Sequence, residues 1–253
     1  MAIQKTEAFI LKTQPFRSSS LIVTFFTRAF GKIRALVKGV RREGETRGST
    51  FEPFTRLEII FYEKMRSDLH LVSEASMIES YEGIRSHLES LSYASYFCEL
   101  VDSLCEVHDA HEKIFELLDF VFHYLPSLGG RKMARIFEIK LLREIGWLPF
   151  LSACLQCGTK TFERGYFSVR QGGLFCSECG PKVPGARPIT PESLAAMRYY
   201  SSHDLADSLK LAVSSKTANE LETFLSRFIL ERHQKPFKSL SFLEKIKPLL
   251  PKN

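Results

Sequence analysis

Through the first eighty positions the hydrophobic residues come in short, dense runs broken by charged or glycine-containing turns. After Tyr81 they recur at helical steps. The runs Glu7–Thr13, Ser20–Arg28, Lys32–Val40, Arg56–Glu63 and Leu69–Met77 are rich in Val, Ile, Phe and Thr, and each is predicted as a strand. Alternation is cleanest in Lys32–Lys38, where Ile33, Ala35 and Val37 fall on one face and Lys32, Arg34 and Lys38 on the other. A core takes the first face, and the second presents three cations. Five strands in so short a stretch predict a small closed barrel, and the OB-fold is the nucleic-acid-binding version of that design.

Ile84, Leu88, Leu91, Phe97, Val101 and Leu104 then mark a first long helix. Ile114, Leu117, Leu118, Val121 and Leu125 mark a second, which Pro126 and Gly129 stop. A third runs from about Arg131 to Ile145. Its basic residues Arg131, Lys132, Arg135, Lys140 and Arg143 cover half the circumference opposite Met133, Phe137 and Leu141, which reads as a solvated face ahead of the alternative, a second binding patch. Thr190 followed by Pro191 opens another helix, and further ones cover about Ala218–Gln234 and Ser239–Lys247. The expected fold class is α+β: a five-stranded OB-fold barrel over residues 1–80, then a helical domain over 81–253.

The chain of 253 residues is 44% hydrophobic and 25% charged, which is ordinary for a globular protein and excludes wholesale disorder. No apolar run approaches the ~20 residues that span a bilayer, and the start lacks the basic and apolar regions of a signal peptide. A soluble, cytoplasmic protein is expected. The formal net charge is +6, but residues 1–42 alone hold nine basic side chains and one acid. Concentrating cations on the barrel suits a polyanion-binding surface. The next segment, Gly39–Thr50, is rich in Arg, Gly and Glu without periodicity and is expected to be an exposed loop.

Four of the six cysteines form a second signal. Cys154-Leu-Gln-Cys157-Gly and Cys176-Ser-Glu-Cys179-Gly are two C-x2-C knuckles with 18 residues between the inner pair. Four soft ligands at this spacing suit one tetrahedral Zn²⁺, and the glycines let amide N–H groups turn toward the sulfurs. The alternative is two disulfides or four unrelated thiols; a reducing compartment argues against the former. Tyr166–Val169 and Leu174–Phe175 are predicted to form a hairpin joining the knuckles, within a zinc module at 150–185. A closed four-cysteine site leaves no open position for catalysis, so the ion is expected to be structural. Cys98 and Cys105 lie on the apolar side of the first long helix and read as core thiols.

Phosphate-loop, dinucleotide, H-E-x-x-H and G-x-S-x-G motifs are all missing, and His108 and His111 read as a solvated turn, so no enzyme is expected.

Nearly the whole chain resembles the bacterial DNA repair and recombination mediator family RecO. The resemblance is carried by Ala8-Phe-Ile-Leu-Lys12, Phe25-Phe-Thr-Arg28, Gly31-Lys-Ile-Arg34, Lys38-Gly-Val-Arg41-Arg42 and Phe51-Glu-Pro-Phe54. Further on it rests on Phe137-Glu-Ile-Lys-Leu-Leu-Arg143, Gly146-Trp-Leu-Pro149 and Pro236-Phe-Lys-Ser-Leu-Ser-Phe-Leu243. Where the family has acidic residues in the turn before its second strand, this chain has Ser18-Ser19-Ser20.

The resemblance implies a non-enzymatic protein of the cytoplasm and nucleoid that binds single- and double-stranded DNA and anneals complementary strands. It also implies partners: RecR, the C-terminal tail of single-strand-binding protein, and a functional link to the recombinase RecA. The residues agree with the DNA part of this. Lys32, Arg34 and Lys38, continued by Arg41, Arg42 and Arg47, led into by Arg28 and flanked by Lys12, are the candidate phosphate-backbone contacts. Phe16, Phe26 and Phe30 are candidate stacking rings, although each is more often core. The competing reading is a zinc-ribbon protein-interaction scaffold without intrinsic annealing.

Overall fold

A computed structural model describes residues 2–40, 50–64, 67–161 and 164–246. Packing gathers the chain into two units, Met1–Gly130 with Phe237–Asn253, and Arg131–Pro236.

The first unit is built on five strands: β1 (Ala2–Phe16), β2 (Ser20–Thr27), β3 (Gly31–Val37), β4 (Arg56–Glu63) and β5 (Leu69–Glu79). They close in the order β1-β2-β3-β5-β4, with β3 and β5 parallel and the other pairs antiparallel, which is the expected OB-fold barrel. At 15 residues, β1 is about twice the predicted length. The reason is pairing on both sides: Ala2–Phe9 bonds to β4 and Ala8–Phe16 to β2, with an irregularity between Ile10 and Lys12 that bends the strand round the barrel. Ala8, Ile10, Val23, Phe25, Ile33, Ala35, Val37, Leu57, Ile59 and Phe61 fill the interior, as the alternation in β3 predicts. The loop expected over Gly39–Thr50 falls mostly outside the described residues.

Part of the barrel's outer face is a second core. Helices α1 (Glu82–Arg85), α2 (Leu88–Leu104) and α3 (Glu112–Leu128) follow the barrel in the same unit. The Phe9 ring, on the outside of β1, meets Phe115 at 4.7 Å, Phe122 at 5.5 Å and Tyr81 at 6.1 Å between centroids. Pro126 does not stop α3; it sits in the last turn, where it forfeits one backbone bond, and Gly129 at φ 80° makes the stop. Cys98 and Cys105 are buried as expected, and burial pushes both thiols up, Cys105 to about 12. Helix α8 (Lys238–Ile246), near the chain's end, returns to this unit: the Glu99 carboxylate of α2 accepts from the backbone N–H of Lys238 at 2.9 Å and of Ser239 at 2.8 Å.

Helix α4 (Gly130–Glu144) opens the second unit, followed by β6 (Gly165–Ser168), β7 (Gly173–Phe175), β8 (Arg187–Ile189), α5 (Pro191–Ser202), α6 (Leu205–Lys210) and α7 (Ser215–His233). The solvated-face reading of α4 is overturned: residues 133–142 are buried all round, with Arg135 6% and Lys140 7% exposed. Its cations meet helix ends instead. Lys140 donates to the His203 carbonyl, Arg143 to Ser201 O at 2.7 Å, and Lys132 to Leu209 O. Those carbonyls belong to the ends of α5 and α6, where unbonded C=O groups and the helix dipole favour a cation. Arg135 pairs with fully buried Glu138 at 2.9 Å. The predicted hairpin is β6–β7, but β8, which pairs with the other side of β6, was not foreseen. Three residues with a proline at the centre carry almost no strand pattern, and proline is tolerated at a sheet edge.

Candidate nucleic-acid interface and metal centre

Register divides the outer face of β1–β3 into rows across the strands. One row is Phe9, Phe26 and Lys32, directly paired. Both rings are fully buried, and Lys32, with a side chain 12% exposed, donates to the Asp102 carbonyl and lies 3.9 Å from the Asp102 carboxylate. Arg28, just past β2, is engaged in the same way. It bonds Glu112 at 3.1 Å and Glu7 at 3.4 Å, with its guanidinium 4.4 Å from the Phe115 ring centroid. These two predicted contacts thus sit against α2 and α3.

The next row is Lys12, Thr24 and Arg34, and here both cations are exposed. With neighbouring strands roughly 4.8 Å apart, Lys12 and Arg34 stand about 10 Å from one another across Thr24. Lys38, one residue past β3, is exposed as well, and among the described residues no ion pair holds any of the three. At the same end of the barrel, Val40 N–H donates to Ser19 O at 2.9 Å, tying the end of β3 to the β1–β2 turn. That turn carries Arg17, at φ 56° and exposed, with its guanidinium 5.3 Å from the half-buried Phe16 ring. Arg17 is an addition to the predicted contacts, beside Phe16, already a candidate stacking ring; a cation abutting a serine-rich turn was its only signal. Of the other candidate rings, Phe26 is core and Phe30 packs edge-on against Phe61 at 5.5 Å. Arg41, Arg42 and Arg47 lie outside the described residues.

Barrel and helices are joined by a polar network. Arg56 on β4 bonds Glu7 at 2.6 Å and Asp119 at 3.0 Å, and the Tyr81 hydroxyl donates to the same Asp119 carboxylate. Burial pushes the Glu7 carboxyl up, but the bonds and charge of Arg56, with Arg28 behind, hold it below the usual carboxylate range.

In the second unit the sulfurs of Cys154, Cys157, Cys176 and Cys179 all lie within 4.8 Å of one another, and Cys157 and Cys176 are 3.7 Å apart. A tetrahedron of sulfurs around a cation at ~2.3 Å has edges of about 3.8 Å, so the cluster can hold one metal ion with small adjustment. Gly158, at φ 73°, makes the first knuckle's turn, with its N–H bonding Cys154 O at 2.9 Å. Gly180 serves differently: a Cβ there would stand 2.4 Å from the Tyr166 ring, so bare backbone lets the second knuckle lie on that side chain. Burial pushes the Cys154 thiol up, yet N–H groups of Cys157, Cys176 and Gln156 outweigh it and bring it down to about 6. Burial and the three neighbouring sulfurs push Cys179 up to about 12. Four thiols this close oppose one another's ionisation, and a divalent cation relieves that conflict.

The fold and its two sites define an OB-fold protein with a helical region and a four-cysteine metal-type cluster. Residues 1–81 match the family described as recombination protein O N terminal, and residues 85–241 the one described as recombination protein O C terminal. Two proteins named DNA repair protein RecO are each 32% identical to the chain. That of Syntrophus aciditrophicus aligns over 97% of this chain and 96% of its own length, and that of Caldicellulosiruptor saccharolyticus over 98% and 100%. A third of that name, from Symbiobacterium thermophilum, is 27% identical over 98% of this chain and 99% of its own length. The chain belongs to the RecO family of DNA repair proteins. No described helix is long and apolar enough to cross a membrane.

Proposed function

We propose that this protein is a non-enzymatic recombination mediator. It binds single- and double-stranded DNA through the barrel, anneals complementary strands and, with RecR and the tail of single-strand-binding protein, helps load RecA on coated DNA. The observation that carries the reading is the open row on an OB-fold barrel: Lys12 on β1 and Arg34 on β3, with Lys38 past β3 and Arg17 in the β1–β2 turn, are exposed without an acidic partner among the described residues. In the sequence, Arg41, Arg42 and Arg47 follow Lys38 as further candidate cations. Arg28 and Lys32 hold the barrel to its helices and contribute to the field rather than to direct contact.

Cations in a row contact phosphates without reading bases, and each contact releases condensed counterions. A protein that neutralises two strands at once lowers their repulsion and raises their rate of encounter. Residues 1–80 are the nucleic-acid-binding domain in this reading and residues 81–253 the partner-holding helical domain. The four cysteines take one Zn²⁺, which suits an all-thiolate, tetrahedral donor set. The ion's chemistry is to fix the module; with four sulfurs around it no position is open to water.

The test is annealing of two complementary oligonucleotides, one coated with single-strand-binding protein, without ATP and at two salt concentrations. Wild type is expected to anneal, and a Lys12→Glu/Arg34→Glu/Lys38→Glu variant to lose the activity while keeping its fold. Well-folded wild type that neither binds nor anneals DNA would leave the interaction-scaffold reading in its place.

A further inference from the structure

One buried position at the end of the barrel is a histidine. On β5 the buried residues are His70 and Val72, and the His70 ring stands 5.4 Å from that of Phe61, itself part of the barrel core. The backbone N–H of Lys64, just past β4, lies 3.2 Å from His70 Nδ1. A backbone N–H only donates, so Nδ1 accepts and the neutral ring carries its proton on Nε2. That nitrogen is buried and meets no partner among the described residues. Beside the ring is an open cavity of about 520 Å³, which Phe30 and His108 also line.

His108 belongs to the loop between α2 and α3. It is exposed, yet its ring packs edge-on against His70 with centroids 5.4 Å apart. The loop is seated on the barrel through its backbone. His108 N–H donates to Lys32 O at 3.0 Å, and Val107 bridges Lys32 as a parallel pair. Gly31, at φ 63°, leaves room for it, since a Cβ there would run into the Asp109 backbone. His108 itself holds φ 60°, an uncommon backbone for a residue with a side chain.

Charge around the two rings is mixed. Glu63, Lys64 and Asp68 face His70 from the β4 and β5 side and His108 from the loop, while the β2–β3 turn offers Ala29 and Phe30, which do not titrate. On the loop, Asp109 is held by His111 at 2.8 Å. Burial pushes the His70 imidazole below its usual range, His108 and Lys64 push the same way, and the two carboxylates do not offset them. A second proton on this ring enters at Nδ1, where it points at the Lys64 N–H and breaks the bond between them. The resulting cation is buried against a second imidazole, with no acid bonded to it among the described residues.

We propose that His70 and His108 form an acid-sensitive catch, which holds the α2–α3 loop on the barrel while His70 is neutral and releases it when His70 takes a proton. The loop clasps the Lys32 backbone, and the Lys32 ammonium is bonded to Asp102 nearby on α2, so release loosens the covered end of the cation-bearing face. The catch stands on its own geometry, whatever the barrel binds. A released His70 titrates near pH 6.5 and the docked one lower, so the catch is complete above about pH 6.5 and weakens as pH falls through that value. Each pH unit below it favours the open loop by up to about tenfold, until the depressed value is passed.

The test is hydrogen exchange of the full-length protein between about pH 7.5 and 5.5, corrected for the intrinsic rate at each pH. In wild type the His108 N–H is expected to lose protection by up to about tenfold per pH unit below about 6.5, while β2 and β3 stay protected. His70→Asn offers an amide oxygen near the place of Nδ1 and takes no proton, so its loop should stay docked across the range. His108→Asn keeps a residue that tolerates the left-handed backbone and removes the facing ring, so the acid loss should shrink. Wild-type protection that is indifferent to pH overturns the proposal, as does a His70→Asn protein with the wild-type acid loss. A barrel that opens together with the loop overturns it too, since that is unfolding rather than release. Should His70→Asn fail to fold, His108→Asn decides: an acid loss equal to that of wild type removes the catch.

Discussion

Replacing Lys12, Arg34 and Lys38 together by alanine separates the open row from the covered one in a single measurement. All three side chains are exposed and free of ion pairs among the described residues, so their loss leaves the fold intact. If each contacts one phosphate of a single strand, each contributes ~0.7 to the slope of log affinity against log salt. The triple variant should therefore have a slope smaller by about 2, bind about a hundredfold more weakly near 0.1 M salt, and converge on wild type near 1 M. Lys32→Ala is the control. Its ammonium is turned to Asp102 under α2, so the slope should stay nearly unchanged while stability falls by roughly 1–3 kcal/mol from a lost charged hydrogen bond. Fluorescence anisotropy of a labelled oligonucleotide across a salt series, with thermal melts of each protein, supplies both numbers. A triple variant whose salt slope matches wild type, or a Lys32→Ala protein that loses the slope instead, would refute the assignment of rows.

Other consequences are open to measurement. Lys140→Met should lower thermal stability by about 1 kcal/mol through the unmet His203 carbonyl and leave DNA affinity unchanged, since this cation faces a helix end; a change in the salt slope would restore α4 as a binding face. Glu7→Gln should flatten the acid side of the stability profile. The folded carboxyl titrates below its unfolded value, so its contribution is complete above about pH 5 and is lost as pH falls through the depressed value. Wild-type melting temperature should thus drop more steeply on acidification than that of the variant. Chelation, or Cys154→Ser, should expose the segment between the knuckles to protease while the barrel still melts cooperatively, because metal binding is worth on the order of 10 kcal/mol to such a module.

The barrel was legible in the sequence because its interior obeys a period of two: Ile33, Ala35 and Val37 are all buried, as alternation requires. Parity says which side of a strand faces out, but not what covers the outside. Lys32 and Arg34 have the same parity, yet one lies under α2 and the other in the open, and that difference is set by tertiary docking two registers apart. Helix α4 misled for a related reason. Its cations occupy one face, as solvated cations would, but carbonyls at the ends of α5 and α6 take Lys132, Lys140 and Arg143, and no local pattern marks a carbonyl 58 to 77 residues away. The cysteine cluster was readable because spacing and ligand chemistry are local to each knuckle. Arg17 was missed as a contact, since its place depends on a turn geometry that serine permits but does not announce.

The most direct test of the central claim, that the open row of the barrel holds DNA, is photo-cross-linking of single-stranded DNA carrying halogenated uracil, with the attached peptides mapped by mass spectrometry. Cross-links are expected on the β1 and β3 segments around Lys12–Arg17 and Arg34–Lys38, to disappear in the Lys12→Glu/Arg34→Glu/Lys38→Glu variant, and to be absent from residues 131–143. Cross-links that spare the barrel and gather elsewhere, or that persist unchanged in the variant, would contradict the account.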